Sequence, residues 1–235
     1  MTDLPEIAVI IPVYNGARTL ARALDSVLAQ SDVARLEVVV VDDGSQDASA
    51  DIARAYPSVR VLSGRAAPEG PASARNAGIA ATQSDLVAFL DADDVWLPGK
   101  LRAQLDALAD PSVDLVLTAF DNVADTGFEL PAWARRTRDP RAPEALPGFI
   151  FQAMLARREA LTRVGLLDAS MRWAEDTDWF LRARDAGLVI VQLETVFVHR
   201  MIHDKNLSAD VVQSHRGLVR AVHASVLRKR RGTPS

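Results

Sequence analysis

The sequence predicts an α/β fold, a single domain with a mostly parallel central sheet flanked by helices. Runs of apolar, largely β-branched residues alternate with segments whose apolar residues recur at helical spacing. The apolar runs are continuous, as in strands of a parallel sheet that helices cover on both faces. Polar clusters follow three of these runs, at the strand ends where ligands of such sheets bind.

The first half of the chain contains the regular repeats of strand and helix. Each strand is followed by a helical pattern, of which the alanine-rich segment 72–82 is one. The polar clusters at 14–16, 42–45 and 91–94 end the first, second and fourth strands. The strands are predicted at 7–13, 36–41, 59–62, 86–90 and 113–119.

The second half is less regular, and the Pro, Arg and turn residues of 121–148 predict an irregular excursion. The elements predicted after it are a strand at 149–155, helices at 157–164 and 176–184, and a strand at 188–198. A final amphipathic helix is expected to dock its apolar residues on the core: Val211, Val212, Leu218, Val219, Val222 and Val226. One domain is therefore expected at 1–210, followed by a C-terminal helix or tail at 211–235.

Composition excludes several classes of protein. Hydrophobic residues make up 49% of the chain and charged residues 25%, as in an ordinary globular protein. The chain has no cysteine, which excludes disulfides, zinc–thiolate sites, iron–sulfur clusters and a cysteine nucleophile. The start does not resemble a secretory signal, and no apolar run approaches the roughly 18 residues of a membrane span. The expected location is the cytoplasm, with peripheral attachment to the inner face of the membrane as an alternative.

The charge is distributed unevenly along the chain. The net charge is −4, yet no Asp or Glu follows Asp210. Six basic residues lie beyond that point, which leaves about −10 on the rest: Arg216, Arg220, Arg228, Lys229, Arg230 and Arg231. The basic tail is either the solvated face of the terminal helix or a contact with anionic lipids. The acidic remainder and the absence of a recognition motif argue against nucleic-acid binding.

Three carboxylates within four residues, Asp91, Asp93 and Asp94, directly follow a predicted buried strand. Their mutual repulsion is offset most readily by a cation or by a network of hydrogen-bond donors. Carboxylate oxygens suit Mg²⁺ or Mn²⁺, which commonly bind substrate phosphates as well. The structural alternative is a solvated acidic turn that caps a helix.

The other polar candidates have structural alternatives too. Asp42 and Asp43 can accept hydrogen bonds from a nucleoside or cap a helix, and Arg75 can pair with carboxylates or contact a phosphate. Asp176, in the segment 175–178, is our choice for a general base, although a carboxylate also stabilises a helix N-terminus there. His203 becomes a third metal ligand only if the fold brings it beside Asp93.

Six segments, in this order, resemble the large inverting family 2 of glycosyltransferases, which has the GT-A fold. Residues 9–16 (VIIPVYNG) resemble its opening strand and loop, and 37–47 (EVVVVDDGSQD) its nucleoside-binding segment. Residues 74–78 (ARNAG) with 89–94 (FLDADD) match its central helix and metal motif. Residues 164–168 (VGLLD) and 175–178 (EDTD) resemble its acceptor-side helix and base motif.

The resemblance implies a role for each candidate residue. Pro12 and Tyr14 would shape the nucleobase pocket, Asp43 would contact the base, Asp42 would assist at the nucleoside and Arg75 would support the diphosphate. Asp91 would contact the ribose or the metal. The implied metal ligands are Asp93, Asp94 and His203, and the implied catalytic base is Asp176. Residues 1–120 would then form the nucleotide-sugar half and 121–210 the acceptor half.

The resemblance also implies the reaction. A divalent cation, Mn²⁺ or Mg²⁺, would stabilise the departing nucleoside diphosphate, while a single base deprotonates the acceptor hydroxyl and the configuration inverts. UDP-sugars are the commonest donors in the family, and GDP- and dTDP-sugars also occur. The acceptor could be a carbohydrate, a lipid-linked molecule or another hydroxyl compound.

Three other enzyme classes and one non-catalytic function fit the sequence less well. A nicotinamide-dependent enzyme would need Gly-x-Gly-x-x-Gly after the first strand, and a Walker-type NTPase its Gly-x-x-x-x-Gly-Lys motif; neither is present. A phosphotransferase with an aspartyl nucleophile would not explain the pair at 42–43 or the segment 175–178. A binding protein on the same scaffold is disfavoured because Asp93, Asp176 and His203 are all intact.

Overall fold

The computed structural model describes residues 4–63, 67–135, 149–204, 206 and 210–232. Within these residues, one sheet of eight strands has the order β3-β2-β1-β4-β7-β6-β8-β5. The strands are β1 (Glu6–Val13), β2 (Arg35–Asp42), β3 (Val59–Leu62), β4 (Leu86–Phe89), β5 (Val95–Trp96), β6 (Leu115–Ala124), β7 (Met154–Arg157) and β8 (Ile190–Ile202). The helices are α1 (Leu20–Leu28), α2 (Ser49–Arg54), α3 (Pro71–Ala81), α4 (Lys100–Leu108), α5 (Arg158–Val164), α6 (Glu175–Asp185) and α7 (Val211–Gly232).

The first four strands form the parallel half of the sheet that the sequence predicts. β1 pairs in parallel with β2 on one side and with β4 on the other, and β3 extends β2. The register aligns Ile10 with Val39 and with Phe89. The carboxyl ends of these strands therefore lie along one edge of the sheet, which confirms the α/β architecture.

Helices cover both faces of this half. Ile7, Val9 and Ile11 of β1 face the side of α1 and α4, whereas Ala8 and Ile10 face α3. The apolar run of β1 is continuous because its alternate residues pack into two different cores, one on each face of the sheet. Gly78 makes the second core tight, because a Cβ there would lie 2.3 Å from a methyl carbon of Ile10. This close approach fixes the position of α3.

The other half of the sheet is mixed. β7 runs antiparallel between β4 and β6, and β6 pairs in parallel with β8. The strand predicted at 149–155 begins only at Met154, because Phe151–Ala153 forms a 3₁₀ turn. This turn lets Phe151 pack 5.3 Å from the ring of Phe89. The excursion predicted from residue 121 is also wrong at its start, since β6 continues to Ala124 by pairing with β8.

The terminal helix forms as predicted, but its apolar residues do not dock on the core. The chain packs α7 through small residues instead. Ala221 is fully buried, and a Cβ at Gly217 would lie 2.6 Å from the carbonyl oxygen of Trp173. Ser225 donates to Asp185 at 2.9 Å. Of the apolar residues expected to dock, Val212, Leu218, Val219, Val222 and Val226 are exposed, and the side chain of Val211 lies outside the described residues. Helical spacing identified an apolar face correctly. The face that packs is a different one, formed by the small residues Gly217, Ala221 and Ser225, which are spaced four apart.

Candidate active site

The polar clusters of the sequence meet at the carboxyl edge of the parallel strands. In β1 and β2, Val13 is aligned with Asp42 at the strand ends. The 91–94 cluster follows β4, the next strand on the other side of β1. β8 ends at Ile202, directly before His203. The topology therefore brings one half of the candidate site from the first 94 residues and the other half from residues beyond 150.

The three carboxylates after β4 form a compact cluster. One oxygen from each of Asp91, Asp93 and Asp94 lies within 4.8 Å of the others. Asp94 is 2% exposed, and its side chain accepts hydrogen bonds from the amide nitrogen of Met201 at 2.8 Å and from Gln152 Nε2 at 2.9 Å. Burial and the charges of Asp93 and Asp91 raise the pKa of Asp94 well above its usual range. Three carboxyl groups are therefore crowded at the strand end, where their ionised forms repel one another.

His203 reaches this cluster, which was the condition for its role as a metal ligand. Its Nε2 lies 2.9 Å from Oδ2 of Asp93. Asn206 Nδ2 lies 3.2 Å from the same oxygen and also contacts the Met201 carbonyl. The Asp93 side chain remains 28% exposed, so an ion can approach it. Asp93 and His203 are the best-placed ligands, while Asp94 is more enclosed.

Arg75 links the cluster to the start of α6. Its guanidinium donates to Oδ1 of Asp91 at 2.5 Å and to Oε1 of Glu175 at 2.8 Å. It lies over the ring of Phe151, 5.1 Å from the centroid, and is 3% exposed. Burial lowers its pKa, but the two carboxylates outweigh burial and keep it charged. Of the two alternatives, the geometry favours pairing with carboxylates over contact with a phosphate.

Glu175 and Asp176 open α6 in an unusual backbone conformation. Ala174, which precedes them, has a φ of 60°, a left-handed value that costs about 1 kcal/mol in a residue other than glycine. Burial raises the pKa of Glu175 to about 7 against the opposing charge of Arg75. Burial also raises the pKa of Asp176, while the Thr177 amide, Arg75 and Arg200 oppose the rise. Within the described part of the chain, the Asp176 side chain accepts hydrogen bonds from Thr177 alone, and it is half-buried whereas Glu175 is buried.

The residues expected at the nucleoside divide into buried and open ones. Asp42 is buried and accepts the Ser45 amide at 3.0 Å, while Asp43 accepts the amides of Glu69 and Gly70. Neither caps a helix, the structural alternative kept for them: Asp42 holds the turn after β2, and Asp43 holds the loop before α3. Tyr14 is 48% exposed beside them, in the loop after the half-buried Pro12. Tyr14 therefore offers the open surface at which a flat ring could stack.

Two residues of the site were missed from the sequence. Gln152 donates to Asp91 as well as to Asp94, and Asn206 bridges Asp93 and the end of β8. Neither belongs to a charged cluster, and 58 to 113 residues separate them from the carboxylates they contact. For Asn206, its place three residues after His203 was the only available signal. Nothing in the sequence marks Gln152.

The donor set fits a hard divalent cation. Asp93 and Asp91 supply partly exposed carboxylate oxygens, and His203 supplies an imidazole nitrogen beside them. Oxygen ligands with one imidazole are compatible with Mn²⁺ and Mg²⁺. Gln152 and Asn206 orient the carboxylates from outside, as amide partners do at metal sites.

Comparisons with known proteins give the family. The model for "Glycosyl transferase family 2" matches residues 8–165. The succinoglycan biosynthesis protein ExoU of Rhizobium meliloti is 37% identical over 209 residues, covering 77% of this chain and 58% of that protein. ExoO of the same organism is 35% identical over 157 residues, covering 66% and 45%. This chain thus spans about half the length of these curated relatives.

Solved structures share the fold. The mannosyltransferase PcManGT of Pyrobaculum calidifontis, in complex with GDP-Man and Mn²⁺, has a TM-score of 0.73 at 22% identity, covering 96% of this chain and 65% of that one. S. aureus TarS 1–349 in complex with UDP-GlcNAc has a TM-score of 0.69 at 20% identity, covering 87% and 61%. These likenesses confirm the GT-A fold, and the family match confirms the resemblance of the motifs. The chain belongs to glycosyltransferase family 2.

Proposed function

We propose that this chain is an inverting glycosyltransferase, which moves a sugar from a nucleoside-diphosphate sugar to an acceptor hydroxyl. The observation that carries the proposal is the chain of contacts from Asp93 to α6. A cation-compatible cluster containing Asp93 and His203 is joined through Asp91 and Arg75 to the helix start that bears Asp176. A leaving-group site and a base are thus held at one edge of a family 2 fold.

Asp93 and His203, with Asp91 or Asp94, would hold Mn²⁺ or Mg²⁺. A bound cation supplies Lewis-acid stabilisation of the charge that develops on the departing diphosphate. PcManGT is complexed with GDP-Man and Mn²⁺, and TarS with UDP-GlcNAc, which supports a nucleotide-sugar donor here. We propose a UDP-sugar as the donor, because UDP is the commonest donor nucleotide of the family. Tyr14 would face the nucleobase.

Asp176 acts as the base in this proposal. Its carboxylate takes the proton of the acceptor hydroxyl, whose oxygen bonds to the anomeric carbon as the bond to the diphosphate oxygen breaks. The electron pair of that bond leaves with the nucleoside diphosphate, and attack from the opposite side inverts the configuration. The raised pKa of Asp176 suits this role, because a stronger base accepts a proton more readily.

Glu175 has a different role in this scheme. Its carboxylate is tied to Arg75, whose other nitrogen holds Asp91. Glu175 therefore positions Arg75 and, through it, one carboxylate of the cation site. Moving α6 would move both the base and this support, so the two parts of the site are mechanically connected. The acceptor would be a carbohydrate, lipid-linked or other hydroxyl compound that enters beside Asp176.

The test is nucleoside diphosphate release from UDP-, GDP- and dTDP-sugars, with and without Mn²⁺ or Mg²⁺. Slow donor hydrolysis can be measured before the acceptor is known. We expect metal-dependent release from one donor, lost in Asp93→Asn and retained in Asp106→Asn, a control on the exposed face of α4. No release from any donor, with no nucleotide binding by calorimetry, would contradict the proposal and favour a binding protein on the same fold.

A further inference from the structure

The outward surface of α7 is the largest concentration of exposed apolar side chains in the described part of the chain. Six of the eleven exposed large apolar residues lie on this helix. We name five of them the outer face: Val212, Leu218, Val219, Val222 and Val226, which are between 41 and 63% exposed. Single exposed apolar residues are ordinary, whereas a contiguous patch of them marks an interaction surface.

The outer face is exposed although the opposite side of α7 is closely packed. The opposite side of α7 is packed through Gly217 and Ala221. It is also tied by polar contacts, since Arg228 lies 3.5 Å from both Asp178 and Asp185 of α6. Arg220 donates to Ser170 at 2.9 Å. The helix therefore has a fixed orientation, and its apolar side chains are held outward.

The charges beside the outer face indicate its partner. Arg216 and His223 are exposed on the helix, and no Asp or Glu occurs after residue 210. A second copy of this chain on the outer face would bring two basic helices together, which costs electrostatic energy. An anionic lipid surface offers the opposite charge and an apolar layer in which valine and leucine can be buried.

We propose that α7 lies flat on an anionic membrane, with the outer face buried at the boundary of headgroups and acyl chains. None of the described helices is both long and apolar enough to cross a bilayer. Because α7 packs along α6, docking would hold the helix that bears Asp176 beside the lipid surface. This last consequence rests on the proposed function and assigns the acceptor to molecules carried by lipids.

The test is co-sedimentation of the full chain with vesicles of phosphatidylcholine alone or with about 30% phosphatidylglycerol, which supplies the anionic surface. We expect binding only to the anionic vesicles. Val219→Asn with Val222→Asn should lower the partition coefficient at least about tenfold, because two buried valines are lost. Valine and asparagine have similar helix propensities, so α7 should persist. Arg216→Gln should lower the coefficient about fivefold.

Val189→Asn is the matched control, since Val189 is 45% exposed and directly precedes β8 rather than belonging to α7. It should leave binding unchanged. Equal binding to both vesicle types, or none to either, would overturn the proposal. A dimer in sedimentation velocity that the α7 valine variant dissociates, without vesicle binding, would assign the face to a second copy. Donor hydrolysis measured in the same samples reports separately on the proposed function, and the α7 variants should not change it.

Discussion

The candidate site contains two groups of carboxylates, and the protein offsets their charge in different ways. At the end of β4, most of the hydrogen-bond donors are neutral groups: Gln152 and the Met201 amide donate to Asp94, and Asn206 donates to Asp93. At the start of α6, the buried cation Arg75 pairs with Glu175. Arg75 also pairs with Asp91, so one cation serves both groups, but the first group alone gathers three carboxyl groups within 4.8 Å of one another among the described residues.

This difference separates two kinds of chemistry. Neutral donors orient carboxylates without cancelling their charge, so the β4 group still attracts a cation. Burial raises the pKa of Asp176 at the start of α6, as it raises that of Asp94 in the β4 group, but Asp176 lies outside the carboxylate cluster at 91–94 and can serve as a base. Arg75 touches both groups, which makes it the point at which each group depends on the other.

The largest expected effect comes from removing the base. Asp176→Asn preserves the shape of the side chain, and its amide cannot take the proton of the acceptor. Turnover should fall about a thousandfold, within the range for a general base, while donor binding changes little. Transfer kinetics and nucleotide calorimetry measure the two quantities. An equal loss of donor binding would show that Asp176 belongs to the donor site, and the division into two groups would fail.

Arg75→Met tests the link between the groups. It leaves Asp91 and Glu175 without their buried partner, so the free energy of unfolding should fall by about 3 kcal/mol. Urea unfolding measures this loss. The matched control is Arg54→Met, which breaks an exposed pair with Asp51 and should cost no more than about 1 kcal/mol. Similar losses in the two variants would mean that the two carboxylate groups are held independently of Arg75.

The parallel half of the fold was predictable because local signals decide it. Continuous apolar runs fixed four strands, and the Asp-rich loops after them indicated one ligand edge, which the pairing of β1 with β2 and β4 confirms. The second half was less predictable, since β7 and the end of β6 are specified by pairing partners far away in sequence. The turn at Phe151 depends on aromatic neighbours that no local pattern reveals.

For the candidate site, sequence reasoning found charged residues and missed neutral ones. The approach of His203 to Asp93 could be stated only as a condition, because 110 residues separate them. Gln152 has no local signal, although it contacts two carboxylates. Arg75 was identified from the sequence, but whether it pairs with carboxylates or contacts a phosphate depends on where the fold places α6. The roles of these residues in catalysis stay predictions.

Gln152→Leu tests whether a neutral hydrogen-bond donor holds the carboxylates of the β4 group in place for a metal ion. The leucine fills a similar volume but donates no hydrogen bond to Asp91 or Asp94, so the carboxylates lose their fixed orientation. The Mn²⁺ concentration for half-maximal donor hydrolysis should rise about 10- to 100-fold, as when outer partners of metal ligands are removed. Metal titration of donor hydrolysis measures it, with circular dichroism as the control for folding. An unchanged metal requirement would show that Gln152 only fills space.

A buried lysine behind the β4 group provides the test with the smallest expected effect. Lys100 is completely buried, donates to Gln104 at 2.8 Å and lies 4.0 Å from the centroid of the Trp96 ring. Trp96 in turn donates to the carbonyl of Gln152. Burial lowers the pKa of Lys100 well below its usual range, and none of the described carboxylates contacts its ammonium to offset the loss of water.

The sign of the pH effect follows from this lowered pKa. Between the folded and unfolded pKa values, the unfolded chain binds a proton at Lys100 that the folded chain does not. The free energy of unfolding should therefore rise with pH in this window, by up to about 1.4 kcal/mol per unit. Lys100→Met should remove that slope in urea unfolding at pH 7, 8 and 9, while Arg102→Met, on the exposed side of α4, should keep it. Equal slopes in wild type and Lys100→Met would mean that the ammonium stays charged over Trp96, and that an aromatic ring and an amide can hold a buried charge here as Arg75 is held by two carboxylates.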